Sequence, residues 1–195
     1  MKPGVNPAGR QPGEVRIIGG AWKRSKLPVA DRPGLRPTPD RVRETLFNWL
    51  GQDLTGWRCL DAFAGSGALG FEAASRGAAE VVLLERDRTL AASLERSRER
   101  LQASQLRIAT TDAIAWMARC EPARFELVLL DPPFEANLFE PALQAASRLV
   151  TPGGWVYLEA DRSFDAHALA THALALHRHG RAATVHFHLL RRMGD

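Results

Sequence analysis

Short apolar runs alternate with amphipathic segments over the last two thirds of the chain. Five runs predict buried strands, at residues 57–62, 81–84, 106–110, 127–130 and 155–159. The run at residues 81–84 is unbroken and apolar, as is typical of a strand covered on both faces. Between and after them, amphipathic patterns predict helices at residues 69–76, 89–104, 112–119, 141–150 and 166–174. Strands that alternate with helices predict an α/β fold with a doubly wound sheet.

Two more strand candidates follow the last helix, at residues 176–179 and 184–191. They predict an antiparallel pair that closes the sheet. The sheet would then contain about seven strands, mostly parallel, with an antiparallel C-terminal strand. At roughly 150 residues per domain, 195 residues suffice for one domain with an appendage. We expect the core domain to cover residues 57–195.

The first 56 residues follow a different pattern. Residues 1–14 carry three Pro and three Gly, which predicts a disordered tail. Residues 15–19 and 22–27 read as a hairpin, and three prolines in residues 31–39 exclude a helix there. A helix follows, with Thr38 or Asp40 as its cap. Residues 15–56 therefore predict an extension, built from a hairpin and a helix, that packs on the core.

Composition narrows the function classes. Hydrophobic residues make up 45% and charged residues 25% of the chain, the mix of a soluble globular protein. No apolar run approaches the roughly 18 residues of a membrane span, and the N-terminus lacks the apolar region of a secretory signal. We expect a cytoplasmic protein without membrane association. Cys59 and Cys120 match no metal or disulfide spacing, and we predict no metal site.

Charge is divided unevenly along the chain. Residues 1–58 hold 11 Lys and Arg against 5 Asp and Glu, a net charge of +6, whereas residues 59–195 hold 15 against 17, a net charge of −2. A basic extension ahead of a near-neutral domain points to a polyanionic partner. The alternative is a solvated, solubilising tail.

A glycine-rich turn follows the first core strand. Gly65, Gly67 and Gly70 fit the pattern G-x-G-x-x-G between a predicted strand and a predicted helix, a context typical of nucleotide cofactors. Asp61 stands four residues before the first glycine. A carboxylate there is a poor neighbour for the pyrophosphate of NAD but a good one for the ammonium group of a methionine moiety. The turn therefore favours S-adenosylmethionine over NAD.

Two acidic residues extend this cofactor site. Glu85 ends the second core strand, 20 residues after Gly65, where an acid accepts hydrogen bonds from ribose hydroxyls. Asp112 follows the third strand and has two open roles, as an acceptor for the adenine amino group or as a helix N-cap. The predicted cofactor-binding residues are Asp61, Phe63, Ala64, Gly65, Ser66, Gly67, Glu85, Arg86, Asp112 and Ala113.

The sequence Asp131-Pro132-Pro133-Phe134 follows the fourth core strand and is the most specific motif in the chain. Two prolines fix the backbone and remove two N–H donors. The Asp131 carboxylate and the Pro132 carbonyl then become aimed acceptors for an exocyclic NH₂ group. Phe134 offers a face on which a base can stack, worth roughly 1–3 kcal/mol. We predict residues 131–134 to be the catalytic loop.

Together these motifs resemble the Rossmann-like S-adenosylmethionine-dependent methyltransferases that modify exocyclic amines of nucleic acids. Residues 16–20, 35–38 and 40–50 further resemble the N-terminal signature of the RsmD family, bacterial 16S rRNA guanine-N2 methyltransferases. The resemblance runs from about residue 14 to 160. One departure is Asp112, where family members often carry Asn. The resemblance implies S-adenosylmethionine as cofactor and 16S rRNA of the small ribosomal subunit as partner, and we expect a monomer.

The implied mechanism needs no covalent nucleophile. Asp131 and the Pro132 carbonyl would hold the guanine amine and aim it at the sulfonium methyl group, so positioning and electrostatics would carry the acceleration. Neither cysteine follows the fourth strand, which argues against a cysteine-nucleophile route. Asp131 could also accept the proton of the amine, before or after transfer.

Seven basic residues of the extension, together with Trp22 and Thr38, are the predicted RNA contacts. They are Arg16, Trp22, Lys23, Arg24, Lys26, Arg36, Thr38, Arg41 and Arg43. We expect Arg36, Arg41 and Arg43 to lie nearest the target pocket. The alternative for Arg41 and Arg43 is a set of salt bridges on the helix surface.

Two other functions remain open at this point. A DNA adenine-N6 methyltransferase shares the Asp-Pro-Pro-aromatic loop, although 195 residues leave no room for the usual target-recognition domain. A non-catalytic RNA-binding or ribosome-assembly module could retain the cofactor fold. The intact loop at residues 131–134 argues against that module.

Overall fold

A computed structural model describes residues 13–30 and 37–194. The strands are β1 Gly13–Arg16, β2 Lys26–Val29, β3 Arg58–Asp61, β4 Glu80–Glu85, β5 Leu106–Thr110, β6 Phe125–Leu130, β7 Val150–Ala160, β8 Leu174–Ala182 and β9 Val185–Arg192. The helices are α1 Asp40–Trp49, α2 Ala68–Ser75, α3 Arg88–Arg100, α4 Ala113–Arg119, α5 Phe139–Leu149 and α6 Ala166–Ala170, and a 3-10 turn spans Phe134–Ala136.

Seven strands form one sheet in the order β5-β4-β3-β6-β7-β9-β8. β3 to β7 run parallel, whereas β9 is antiparallel to both β7 and β8. The predicted α/β class, doubly wound topology and antiparallel C-terminal strand are confirmed. The order reverses between β3 and β6, which opens a crevice where ligands bind in such sheets.

Apolar clusters cover both faces of the sheet, as the unbroken run at residues 81–84 predicts. On one face, α1, α2 and the hairpin of β1 and β2 share a cluster with Leu83, Leu129 and Tyr157. On the other face, α4 and α5 pack against Leu84 and Leu130. None of the described helices is long and apolar enough to cross a membrane.

The ends of several elements differ from the predicted ones. β7 is longer than predicted at both ends, and α5 begins at Phe139 because Pro141 fits within its first turn. Neither Thr38 nor Asp40 caps α1, so that prediction is wrong. Pro39 occupies the cap position, the Thr38 hydroxyl bonds to Glu159, and Asp40 pairs with Arg43.

The N-terminal hairpin forms, but its strands are displaced from the predicted positions. β1 starts at Gly13, inside the predicted tail, because Gly13 pairs with Val29 and Glu14 forms an ion pair with Lys26. Residues 22–24 form the turn instead of a strand. The rest of the predicted tail, residues 1–12, lies outside the described residues. The boundary of the core domain at residue 57 stays a prediction.

Candidate active site

The parallel strands bring five acidic residues to one end of the sheet, which we call the carboxyl end. Asp61, Glu85 and Glu159 are the last or next-to-last residues of β3, β4 and β7. Asp131 directly follows β6, and Asp112 lies two residues after β5. Asp61 is level with Leu129, and Leu130 with Leu158, so Asp61, Asp131 and Glu159 stand close together. The sequence motifs predict four of these residues but not Glu159.

Glycines let the turn after β3 fold tightly against α2 and α3. Gly65 and Gly67 have φ values of +52° and +79°, the left-handed region that favours glycine. A Cβ atom at Gly67 would come within 2.6 Å of the Leu94 side chain. The backbone therefore comes nearer to its neighbours than another residue would allow, the property that a close cofactor contact requires.

Asp61 is a buried acid without a basic partner among the described residues. Its Oδ2 accepts a hydrogen bond of 2.9 Å from the backbone N–H of Gly70. The residue is 1% exposed. Burial, together with the charges of Glu85 and Glu159, raises the pKa of Asp61 to about 7, although the backbone bonds of Gly70 and Phe63 act to lower it. A positively charged ligand beside Asp61 would stabilise its ionised form.

Glu85 ties the glycine turn to β4. Its Oε2 accepts from the backbone N–H of Gly65 at 3.0 Å, and its Oε1 accepts from the N–H of Asp87 at 2.8 Å. Each carboxylate oxygen can accept a second bond, so a half-buried Glu85 retains capacity for ribose hydroxyls. Its predicted role in cofactor binding fits this geometry and stays a prediction.

Asp112 is the N-cap of α4. Its Oδ1 accepts from the N–H of Ala115 at 2.8 Å, so one of its two predicted roles is visible in the structure. The exposed carboxylate retains acceptor capacity for an adenine amino group, and that role stays a prediction.

The other predicted cofactor residues border the same crevice. Phe63 and Ser66 are half-buried in the turn, Ala64 and Ala113 are buried, and Arg86 is exposed after β4.

The predicted catalytic loop leaves β6 at the carboxyl end. Pro132 is buried and Pro133 is exposed, and Phe134 opens the 3-10 turn with its ring 5.9 Å from that of Phe139. Burial of the Asp131 carboxyl raises its pKa well above the ordinary value, and the nearby charges of Glu159 and Asp61 raise it further. Asp131 thus binds a proton more strongly than an exposed aspartate does.

Glu159 connects the α1 segment to this acidic group. Its Oε1 accepts from the Thr38 hydroxyl at 2.6 Å and from the Tyr157 hydroxyl at 2.9 Å. Burial raises the pKa of Glu159 against the effect of these two bonds. The position of Glu159 at the end of a predicted strand was the signal that could have identified it.

The structure contradicts direct RNA contacts for Thr38 and Arg43. Thr38 is buried with its hydroxyl on Glu159. Arg43 is fully buried and bonds to Glu72, to Asp40 and to the backbone carbonyl of Arg16. Neither side chain is free to meet a phosphate. Salt bridging, the alternative for Arg43, is what the structure contains, but the bridge to Glu72 is in the interior and not on the surface.

The remaining predicted RNA contacts are spread over the extension. Arg16, Lys23, Arg24, Lys26 and Arg41 are exposed, Trp22 is half-buried with its ring 6.4 Å from that of Phe71, and Arg36 lies outside the described residues. The backbone N–H of Trp22 donates to Ser75 Oγ at 2.9 Å. Because Ser75 ends α2 and α2 starts at the carboxyl end, this turn lies toward the opposite end of the sheet.

The acidic group fits the charge of S-adenosylmethionine. Among residues 13–30 and 37–194, no Lys, Arg or His forms an ion pair with Asp61, Asp131 or Glu159. Buried acids without a cation suit a ligand that carries a sulfonium and an ammonium group. In the part of the chain that the structure describes, no group of three or more His, Cys, Asp or Glu could hold a metal ion.

Known proteins resemble this chain over most of its length. The model of the family Conserved hypothetical protein 95 matches residues 15–191. The ribosomal RNA small subunit methyltransferase D of Escherichia coli K12 is 46% identical over 148 residues, which cover 76% of this chain and 72% of that protein.

Solved structures agree with the fold. A putative methyltransferase of Escherichia coli, yhhF, is 38% identical with a TM-score of 0.80 and covers 94% of this chain and 100% of its own. The 16S rRNA N2 G1207 methyltransferase RsmC of Thermus thermophilus, solved with AdoMet and guanosine, has a TM-score of 0.70. It is 23% identical and covers 97% of this chain and 52% of its own, so it speaks for the fold alone. The family match and the 46% identity establish that the chain belongs to the RsmD family of small-subunit ribosomal RNA methyltransferases.

Proposed function

We propose that this protein transfers a methyl group from S-adenosylmethionine to the exocyclic N2 of a guanine in the 16S rRNA of the small ribosomal subunit. Family membership supports the reaction class and the ribosomal RNA substrate. The choice of an exocyclic amine rests on one observation, the half-buried Asp131 at the start of an Asp-Pro-Pro-Phe loop, beside the buried Asp61. Neither carboxyl pairs with a cation among the described residues, and both have a raised pKa.

The cofactor supplies an electrophilic methyl group on a positively charged sulfur. Asp61 would stabilise the positive charge, Glu85 would bind the ribose hydroxyls, and the turn at Gly65 and Gly67 would allow close approach of the backbone. These roles need no covalent bond to the protein. The chain would act by positioning two reactants and by fixing negative charge beside them.

Asp131 has the central role at the amine. Its carboxylate accepts a hydrogen bond from the exocyclic NH₂ and concentrates electron density on the nitrogen. The raised pKa makes the same carboxyl a fitting acceptor for the proton that the amine loses. Phe134 offers its half-buried ring to the target base.

Glu159 and Thr38 position this acidic group. The bond between the Thr38 hydroxyl and Glu159 joins the segment before α1 to the carboxyl end of β7. Charge on Glu159 also raises the pKa of Asp131. Thr38 and Glu159 would therefore be positioning residues, and Thr38 would support the RNA reaction without touching RNA.

Mass spectrometry of the methylated nucleoside tests the proposal. Purified protein is incubated with S-adenosylmethionine labelled in the methyl group and with 16S rRNA or small-subunit particles, and the RNA is digested to nucleosides. We expect label in N2-methylguanosine with the wild type, none with Asp131→Ala, and full activity with the exposed control Glu99→Ala. Label in N6-methyladenosine, or transfer to DNA in place of RNA, would contradict the proposal.

A further inference from the structure

A second basic segment lies at the C-terminal end of the chain. Residues 166–194 contain four Arg and six His but no Asp or Glu. The net charge of −2 over residues 59–195 gives no indication of this basic segment, because nearly all Asp and Glu residues in that range lie before residue 166. Most of the segment forms the hairpin of β8 and β9, whose β8 strand is largely exposed along the outer side of the sheet.

The turn of this hairpin lies at the carboxyl end of the sheet. Ala160, the last residue of β7, pairs with His186 near the start of β9, and His186 pairs with Arg181 near the end of β8. β9 is two strands away from β6, about 10 Å at the usual strand spacing. The hairpin turn and the catalytic loop therefore open toward the same side of the molecule.

Contacting rings connect the hairpin to the catalytic loop. Phe134 contacts Phe139 at 5.9 Å, Phe139 contacts Phe164 at 6.0 Å, and Phe164 contacts His188 at 5.8 Å between ring centroids. Beyond His188, the rings of His179 and His186 follow at 4.8 Å and 5.2 Å. This continuous packing fixes the position of the hairpin relative to the catalytic loop.

Arg181 lies on the same face of the hairpin as these rings. Arg181 stands opposite His186 and His179 opposite His188, and side chains of directly paired residues point to the same face. The outermost rings are linked by a bond of 3.0 Å between His179 Nε2 and His186 Nδ1. Arg181 and His179 are exposed and His186 is half-buried, so all three are accessible from solvent.

Arg162 lies between the hairpin and the catalytic loop. Its guanidinium is 5.1 Å from the ring centroids of both Phe139 and Phe164. Asp161 pairs with it at 3.7 Å, and the side chains of both residues are at least half exposed. Exposed pairs of this kind contribute little, so Arg162 remains available to a stronger anionic partner.

We propose that a surface made of Arg162, His179, Arg181 and His186, called the hairpin surface below, binds the phosphate backbone of the substrate RNA beside the target nucleotide. This inference rests on the proposed function, since it names the part of the protein that holds the same substrate. The charge of Arg162 and Arg181 fits a polyanion, and arginine forks fit phosphate oxygens. Burial and the neighbouring His186 lower the pKa of His179, so His179 contributes hydrogen-bonding capacity and not charge. The basic turn at residues 22–24, by contrast, lies toward the opposite end of the sheet.

Charge reversal with a matched control tests the hairpin surface. Arg162→Glu and Arg181→Glu are made singly and together, and the control reverses two exposed arginines on α3 and α4, Arg96→Glu with Arg119→Glu. Affinity for protein-free 16S rRNA and for assembled small subunits is measured between about 50 and 200 mM salt. Thermal unfolding midpoints verify that each variant folds.

We expect the double variant to lose about tenfold or more in affinity and to flatten the slope of log affinity against log salt by about 1.5, because each lost phosphate contact removes roughly 0.7–0.9 from that slope. The single variants should each produce about half of this change.

Two results would overturn the inference. One is a double variant that matches the control on both substrates. The other is a loss of affinity for assembled subunits alone, which would mean that the surface meets a ribosomal protein and not RNA. The proposed function fails separately, if the wild type binds rRNA through this surface but transfers no methyl group to guanine.

Discussion

Among residues 13–30 and 37–194, buried acids occur in two regions, and these regions differ in whether the acids have basic partners. Glu72 on α2 is fully buried and saturated with donors. Its Oε1 accepts from the N–H of Gly19 and from Arg76, and its Oε2 accepts from the N–H of Ile18 and from Arg43. At the carboxyl end of the sheet, Asp61 and Glu159 are also buried and, with Asp131, form no ion pair with a described residue.

The presence or absence of a basic partner distinguishes the acid with a structural role from the acids with a proposed functional role. An acid that already holds its cations, like Glu72, joins the N-terminal extension to the core and has no charge left for a ligand. Acids held together without a cation raise each other's pKa and destabilise the folded protein. Such a group persists where a ligand supplies the missing positive charge.

The largest expected effect comes from Asp131→Ala. Loss of the acceptor for the amine should lower turnover about 10³-fold or more, because both positioning and proton transfer are removed. Cofactor affinity should remain near the wild-type value. Single-turnover kinetics and calorimetry on the same preparation measure the two quantities, and turnover within tenfold of the wild type would contradict the role of Asp131.

Arg43→Met should destabilise the region around the buried Glu72. The change leaves Glu72 buried with one of its two cations, which should lower the free energy of unfolding by about 3–5 kcal/mol. Arg41→Met, two residues earlier on the exposed side of α1, is the matched control and should cost little. Urea denaturation measures both. An Asp131→Asn variant as stable as the wild type would support the contrast between the structural acid Glu72 and the acids at the carboxyl end. An Arg43→Met variant no less stable than Arg41→Met would contradict it.

Much of this contrast could not be predicted from sequence. Arg43 lies in a basic stretch, and its burial depends on Glu72, 29 residues away on α2. The local sequence pattern predicts where charged residues lie along a helix, but it does not predict which face of that helix another helix covers. The sequence likewise predicts Thr38 as a helix cap, whereas its hydroxyl donates a hydrogen bond to Glu159, 121 residues away.

The carboxyl end itself was largely predictable. Each apolar run marks where a buried strand ends, and parallel strands bring those ends together. The sequence alone therefore suffices to place Asp61, Glu85 and Asp131 at one edge of the sheet. It does not place the C-terminal histidines, because their stacking depends on the register between β8 and β9.

Asp61 predicts how stability depends on pH. Its folded pKa of about 7 exceeds the ordinary 3.8, so between those values the folded protein retains a proton that the unfolded chain has released. The free energy of unfolding should therefore fall as pH rises from about 4 to 7, by up to about 4 kcal/mol. Denaturation midpoints across this range should show a flatter dependence for Asp61→Asn. Equal slopes for the two proteins would contradict this assignment.

Glu85→Ala should have the smallest effect. Loss of a charged acceptor for the ribose should weaken cofactor binding by about 1.5–3 kcal/mol, roughly tenfold to a hundredfold in affinity. Glu99→Ala, an exposed change on α3, is the control for calorimetry. An unchanged affinity would remove Glu85 from the site.

Proton release on cofactor binding tests most directly whether the acids at the carboxyl end bind the positively charged cofactor. Calorimetry at pH 7 in buffers of different ionisation enthalpy counts the protons released when S-adenosylmethionine binds. With its pKa near 7, Asp61 should release about half a proton, and Asp61→Asn should abolish this release. Binding without proton release, at an affinity that is the same from pH 6 to 8, would contradict the account.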